Sequence, residues 1–250
     1  MQERQLQSRD SNAGGYDEWF LQHFGFWVDW LQKQVVMNLI DPQMEEVVLD
    51  AGCGTGRLTT ELARSCKKVY AMDFSAVSIE VLNKKMYEEG INNVQSLVWD
   101  ITRPYPLEER VEKIVSCGVL HFLPTLRHRH LALQNMYNQL QEDGTLVITI
   151  WNWQTVFKKH HWSKDWEGRY GYHCHRFTPD EAKAALQACG FKKIFIKGYA
   201  NFAYVFEIYR RLRDHRFLGI PYLIARSDLY LSKFNISYYL GDYLVCSAKK

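Results

Sequence analysis

Asp50 is followed by three glycines at alternate positions, Gly52, Gly54 and Gly56, with Cys53 between the first two. The apolar run Val47-Val48-Leu49 before the acid reads as a short buried strand, and a helical pattern begins at Arg57. A strand that feeds a glycine-rich turn and then a helix makes a cradle for a nucleotide-like ligand. Glycine permits the tight turn, and its missing Cβ lets backbone come close to what is bound. The dinucleotide pattern G-x-G-x-x-G is not met, because its third glycine, counted from Gly52, falls on Arg57. A phosphate loop is also excluded, since no Lys-Ser or Lys-Thr pair follows the glycines. An acid at the strand end repels a close pyrophosphate and suits a ligand that carries an ammonium and a sulfonium.

Two further acids follow the same logic. Lys68-Val69-Tyr70-Ala71-Met72-Asp73 is an apolar run ending in an acid, and a third strand over about 94–99 runs into Asp100. A carboxylate can accept hydrogen bonds from both hydroxyls of a vicinal diol, which suits Asp73 to a ribose. Taken singly, each acid reads as an ordinary helix cap or turn residue. Together, an acid followed by G-x-G-x-G and then two more acids at strand ends resemble the class I S-adenosylmethionine (SAM) dependent methyltransferases. The resemblance implies a SAM site built from Asp50, Gly52, Cys53, Gly54, Gly56, Asp73, Phe74, Asp100 and Ile101. In it Asp73 holds the ribose, Phe74 lies against the adenine, Asp100 accepts from the adenine amino group, and Ile101 packs beside the ring.

The segment Cys117-Gly118-Val119-Leu120-His121-Phe122-Leu123 closes a fourth strand and resembles the fourth motif of small-molecule methyltransferases. By that resemblance Cys117 touches the methionine part of SAM, and the residues after it face the methyl acceptor. His121 is then the candidate general base, with Tyr16, near the start of an N-terminal helix, as a positioner over the methyl. Phe122, Trp151, His175 and Tyr204 are the candidate acceptor contacts. The Asn/Asp-Pro-Pro-aromatic tetrad of nucleobase amino-methyltransferases is missing, as is the Pro-Cys dipeptide of cytosine C5 enzymes. The stretches 150–154 and 166–177 faintly resemble the tRNA wobble-uridine methyltransferases, so a tRNA acceptor is the alternative. A non-catalytic SAM-binding regulatory module is a third reading.

Positioning these residues takes an alternating chain. Ser75 reads as the N-cap of a helix to about Glu88, and a helix over about 126–141 closes on Asp143-Gly144. Thr178-Pro179-Asp180-Glu181 is a capping box opening a helix that Gly190 ends. Strands are expected over 113–122, 144–151, 191–199 and 238–249. Alternation from residue 47 onward predicts a Rossmann-like α/β fold, doubly wound around a mainly parallel seven-stranded sheet. The resemblance adds that the last strand inserts antiparallel between the fifth and sixth. Residues 1–45 read as an N-terminal helical lid and 46–250 as the SAM-binding domain, with an aromatic and Arg-rich acceptor-side insertion over 202–235. Trp19, Phe20, Phe24, Trp27 and Leu31 share a helical face, which Gly25 weakens.

The 250 residues fit one domain. A net charge of +3 makes no case for a nucleic-acid surface, so a small-molecule acceptor and no nucleic acid are expected. The 14% aromatic content favours an apolar or aromatic acceptor. Six cysteines without paired CxxC spacing read as reduced thiols of a cytoplasmic protein. His173-Cys174-His175 lacks a second ligand pair, so no metal is expected. No signal peptide and no apolar run long enough to span a bilayer are present, so no membrane partner is expected. The oligomeric state is not readable.

Overall fold

The computed structural model describes residues 6–7, 10–11, 13–155, 163–167, 173–202 and 219–250. Helix α1 (Tyr16–Ile40) leads into strand β1 (Val47–Ala51), helix α2 (Thr59–Ala63), strand β2 (Lys68–Asp73), helix α3 (Ala76–Glu88) and strand β3 (Val94–Val98). Strand β4 (Val111–Cys117) is followed by a 3₁₀ turn (Leu120–Phe122), helix α4 (Leu126–Gln139) and strand β5 (Leu140–Trp151). A short hairpin of β6 (Asp165–Glu167) and β7 (His173–His175) precedes helix α5 (Pro179–Ala188) and strand β8 (Lys192–Tyr199). Helix α6 (Gly219–Leu231), helix α7 (Ser237–Leu240) and strand β9 (Tyr243–Lys249) complete the described chain.

Seven strands form one sheet in the order β3-β2-β1-β4-β5-β9-β8. The first five of these pair in parallel, and β9 runs antiparallel to both β5 and β8. This is the doubly wound sheet and the inserted last strand expected above. Period-2 alternation splits the core into two layers. Val47, Leu49, Tyr70, Met72, Ile114, Leu146 and Ile148 face one way, with α4 residues such as Leu133 and Met136 and with Leu186 of α5. Val48, Val69, Ala71, Val115, Val147 and Val245 face the other, under α1 and α3. Burial on both faces explains why the strands read as unbroken apolar runs.

The second layer makes part of the N-terminal segment structural. Val28, Leu31, Val35, Val36 and Ile40 of α1 are all buried against the sheet. Complete burial of one such leucine contributes about 1.5–3 kcal/mol. The α1 backbone is helical through Gly25, because tertiary docking outweighs the roughly 1 kcal/mol propensity cost of one glycine. The helices capped by Ser75 and Thr178 begin where expected, and Thr178 and Glu181 exchange both capping-box bonds.

Some local readings are corrected. The fourth strand, expected over 113–122, runs from Val111 to Cys117, and Leu120–Phe122 turn as a 3₁₀ helix because Gly118 leaves the strand at a φ of 74°. Helix α4 ends at Gln139, and Asp143-Gly144 lies within the first residues of β5. A Cβ at Gly144 would stand 3.0 Å from the Glu112 carbonyl oxygen, so glycine serves a close approach to β4 and not a helix cap. The last strand starts at Tyr243 instead of Tyr238. The Asn152 amide donates to the carbonyls of Tyr238 (2.8 Å) and Gly241 (2.7 Å) and holds this stretch in the helical turn α7. The β6–β7 hairpin was not foreseen.

Candidate active site

The three acids stand at neighbouring strand ends. Asp50 lies in β1, Asp73 ends β2, and Asp100 follows β3 by two residues, with β1, β2 and β3 adjacent in the sheet. Asp50 is 2% exposed and accepts a hydrogen bond from the Thr59 hydroxyl at 2.7 Å. Burial raises its carboxyl to about 7, the Thr59 bond opposes this, and the charge of Asp73 adds to it. Asp73 accepts from the Gly54 amide (2.9 Å) and the Ser75 amide (3.0 Å), which ties the glycine loop to the end of β2. Asp100 accepts from the amide and hydroxyl of Thr102, and Ile101 is buried beside it. Phe74 is half-buried.

The three glycines divide their work. All have positive φ, at 83°, 55° and 85°. A Cβ on Gly52 would sit 2.3 Å from Val119 Cγ2, and one on Gly56 would sit 2.3 Å from Leu82 Cδ1. Those two are glycine because protein packs against them. A Cβ on Gly54 meets nothing within 4 Å, so it faces open space beside Asp73. An open backbone surface next to a carboxylate with a second buried acid nearby fits a cationic ligand bearing a diol.

Val119 links this cradle to a second group of residues, since it belongs to the turn after β4. In that turn His121 is 1% exposed. Its ring lies 4.2 Å from Phe122 and 5.5 Å from Trp151, centroid to centroid. Trp151 meets Tyr243 edge-on at 6.3 Å, and Tyr243 stacks on Tyr199 at 5.3 Å. These rings gather at the ends of β4, β5, β8 and β9. Cys117, which ends β4, is pushed up to about 12 by burial and the nearby Asp50 charge, so it stays a neutral thiol. Tyr16 packs on the sheet face that also carries Cys53, Cys117 and Tyr243. His175 sits on the hairpin, with Nδ1 2.7 Å from Asp165 Oδ1 and its ring edge-on to Phe177 at 4.7 Å. Tyr204 lies outside the described residues, as does most of the 202–235 insertion before α6. No group of three or more His, Cys, Asp or Glu suited to a metal occurs among the described residues.

Sequence reading missed how the N-terminal segment is fastened. Asp17 accepts from the Thr55 hydroxyl and from Lys85 Nζ, and the Lys85 ammonium also donates to the Thr55 carbonyl at 2.8 Å. Ser75 donates to Asp10 at 2.6 Å. Deeper, Arg57 pairs with Asp29 and donates to Gln32 at 2.6 Å, and Gln32 donates to the hydroxyls of Thr149 (3.2 Å) and Tyr199 (3.0 Å). One polar chain thus runs from the glycine loop through α1 to the aromatic group. Nothing in the sequence sets Asp29 and Gln32 apart from the other polar residues of α1, so the network carried no signal there.

Residues 48–144 match a family model described as a methyltransferase domain. The malonyl-[acyl-carrier protein] O-methyltransferase of Priestia megaterium is 27% identical over 52% of this chain and 48% of its own length. A 23S rRNA (uracil(1939)-C(5))-methyltransferase of Methylococcus capsulatus is 38% identical over 28% of this chain and 16% of its own. The chain therefore spans less than half the length of either curated relative. The fold covers more: phosphoethanolamine N-methyltransferase 2 of Haemonchus contortus, solved with SAM, superposes with a TM-score of 0.70. That match takes in 96% of this chain and 57% of that one, at 16% identity. The sheet order and the superposition give the chain the Rossmann-like methyltransferase fold, and residues 48–144 within it carry the match to a methyltransferase domain.

Proposed function

We propose that the protein binds SAM and transfers its methyl group to a small, apolar or aromatic metabolite. The observation that carries this reading is the contact of Val119 with Gly52, which sets the aromatic group directly against the cradle. SAM supplies a methyl group already activated by its sulfonium. Asp73 and Asp100 offer acceptors to the ribose and adenine, and Gly52, Cys53, Gly54 and Gly56 form the backbone floor. Asp50 stands near the cationic part, with Cys117 as a neutral wall. Phe74 and Ile101 flank the base. His121 takes the acceptor proton, and Tyr16, Phe122 and Trp151 exclude water and orient the acceptor. Orientation of this kind can supply roughly 7–11 kcal/mol of the barrier. His175 and Tyr204 extend the acceptor side, and the part of the N-terminal segment fastened by Asp10 and Asp17 closes over the cofactor as a lid.

The three proteins matched above methylate a carrier-bound acid, an RNA base and an amino-alcohol phosphate by their names, so kinship supports the cofactor half and leaves the acceptor open. The aromatic lining favours a small acceptor over a polynucleotide, whose phosphates call for a basic track. Six free thiols fit a reducing cytoplasm, and no helix among the described residues is long and apolar enough to cross a membrane. Calorimetry tests the cofactor: wild type binds SAM, and Asp73→Ala weakens binding by about 1–3 kcal/mol. A folded wild type that binds neither SAM nor S-adenosylhomocysteine overturns the reading. Labelled SAM with a metabolite extract, followed by mass spectrometry, identifies the acceptor. Label in tRNA would replace the small molecule with a nucleic acid.

A further inference from the structure

We infer that the face formed by α6, α7 and the outer edge of β8 docks on an anionic phospholipid surface. Five large apolar side chains of this stretch are exposed: Leu223 (65%), Tyr230 (61%), Phe234 (47%), Ile236 (55%) and Tyr239 (53%), joined by Phe195 of β8 (43%). Leu223, Arg226 and Tyr230 share one side of α6 by i, i+3, i+7 spacing. The central part of the patch is joined by contacts. Tyr230 and Phe234 meet ring to ring at 5.3 Å. Lys233 lies over the Tyr230 ring at 6.0 Å. Lys197 donates to Asn235, next to Phe234, and lies 5.7 Å over Phe195. Contiguous exposed apolar surface on a folded chain marks an interaction site.

Charge decides what covers it. The carboxylates within 219–250 are Asp228 and Asp242 alone. Asp228 is fully buried and accepts from the Asn201 side chain and the Phe202 amide, so it faces inward. Asp242 is half-buried and accepts from Thr155 at 3.3 Å, away from the patch. The charges that lie over rings of the patch are cations, Lys197 and Lys233. Aromatic rings with lysines among them suit the headgroup region of a bilayer, where rings sit at the apolar boundary and ammonium groups meet lipid phosphates. Protein interfaces are instead depleted of lysine. A second copy fits poorly, since symmetric pairing would face like charges. The β8 edge is also spoiled for strand pairing by a register slip between Lys192 and Phe195, with Lys193 at a φ of 45°. Such a face lies on a membrane and does not cross it, which the absence of a spanning helix leaves untouched.

Sedimentation of the full chain with vesicles tests this. Wild type is expected to pellet with phosphatidylcholine–phosphatidylglycerol vesicles and to stay in solution with phosphatidylcholine alone. Lys197→Gln with Lys233→Gln should lower partitioning about 25-fold, at about fivefold per lost cation. Phe234→Ser with Ile236→Ser should lower it at least about tenfold by removing apolar contact. Both double variants should bind SAM as wild type does, which certifies their fold independently of the lipid readout. The inference is overturned if wild type fails to pellet at millimolar anionic lipid, if uncharged vesicles bind equally, or if either double variant pellets like wild type. It is also overturned if light scattering shows a dimer that Phe234→Ser with Ile236→Ser abolishes, which would assign the face to a second copy.

Discussion

The two halves of the sheet are built differently. On the β1–β3 side, each of the three acids sits within two positions of a strand end, and the hydrogen bonds to its carboxylate from Thr59, Gly54, Ser75 and Thr102 span at most 19 positions. Asp50 bonds Thr59, Asp73 bonds Ser75 and Gly54, and Asp100 bonds Thr102. On the β5–β9 side, the contacts that shape the aromatic group are distant. Gln32 reaches Tyr199 across 167 positions, and Asn152 reaches Gly241 across 89. A site encoded locally can be kept through wide divergence by a few short motifs. A site assembled from distant segments can be reshaped by changing any of them.

The largest expected effect tests whether the distant half does the chemistry. If His121 is the base, His121→Asn should lower turnover by about 10²–10⁴-fold with SAM affinity unchanged. The loss should shrink as pH rises and the acceptor deprotonates unaided. Full activity at neutral pH would make His121 a packing residue and the acceptor an already nucleophilic atom.

Next comes the fold of the same half. A Cβ at Gly198 would lie 1.9 Å from the Ser237 carbonyl oxygen, a backbone atom. Gly198→Ala should destabilise the chain by about 3 kcal/mol in urea titrations, since overpacking that backbone must relieve is costly. Gly54→Val makes the contrasting case. With open space around it, the change costs only about 1–2 kcal/mol of backbone strain. SAM affinity should nevertheless fall about 100-fold, or about 2.7 kcal/mol, because the side chain fills the cradle. Equal stability losses in the two variants would erase the distinction between the halves.

The smallest effect is a pH dependence. Asp50 binds a proton below about pH 7 because its carboxyl is buried. A cationic ligand favours the ionised form, so binding expels that proton. SAM affinity should therefore rise with pH between 6 and 8, by up to about tenfold per unit below the pKa, and level off above it. Asp50→Asn should remove the slope, as read by calorimetry in two buffers.

The same contrast governs what could be read from sequence. The acids, the glycines, the helix starts at Ser75 and Thr178 and the mainly parallel sheet were legible because each rests on local chemistry or on an alternation that the core enforces, whereas the inserted last strand came only from the family resemblance. The start of β9 was not, because the turn at Tyr238 is held by Asn152, 86 positions away. The hairpin strands are three residues each, too short for periodicity to register. Asp17 was invisible as a partner of Thr55 and Lys85, since acids in the first turn of a helix, here Asp17 and Glu18, read as a dipole effect. Gly54 looked like its neighbours, and only the space around it sets it apart.

The wedged position of β9 has a consequence for how the chain is made. Among the described residues β8 pairs only with β9, and β5 has β9 on its outer side. During translation, the β3-β2-β1-β4-β5 portion can assemble from residues already outside the ribosome, but β5 then presents an open, strongly apolar edge and β8 has nothing to pair with. Both conditions end in one step when residues 243–249 emerge and slide between them. The interval before that step is when the nascent chain is most exposed to edge-to-edge association and most in need of a chaperone.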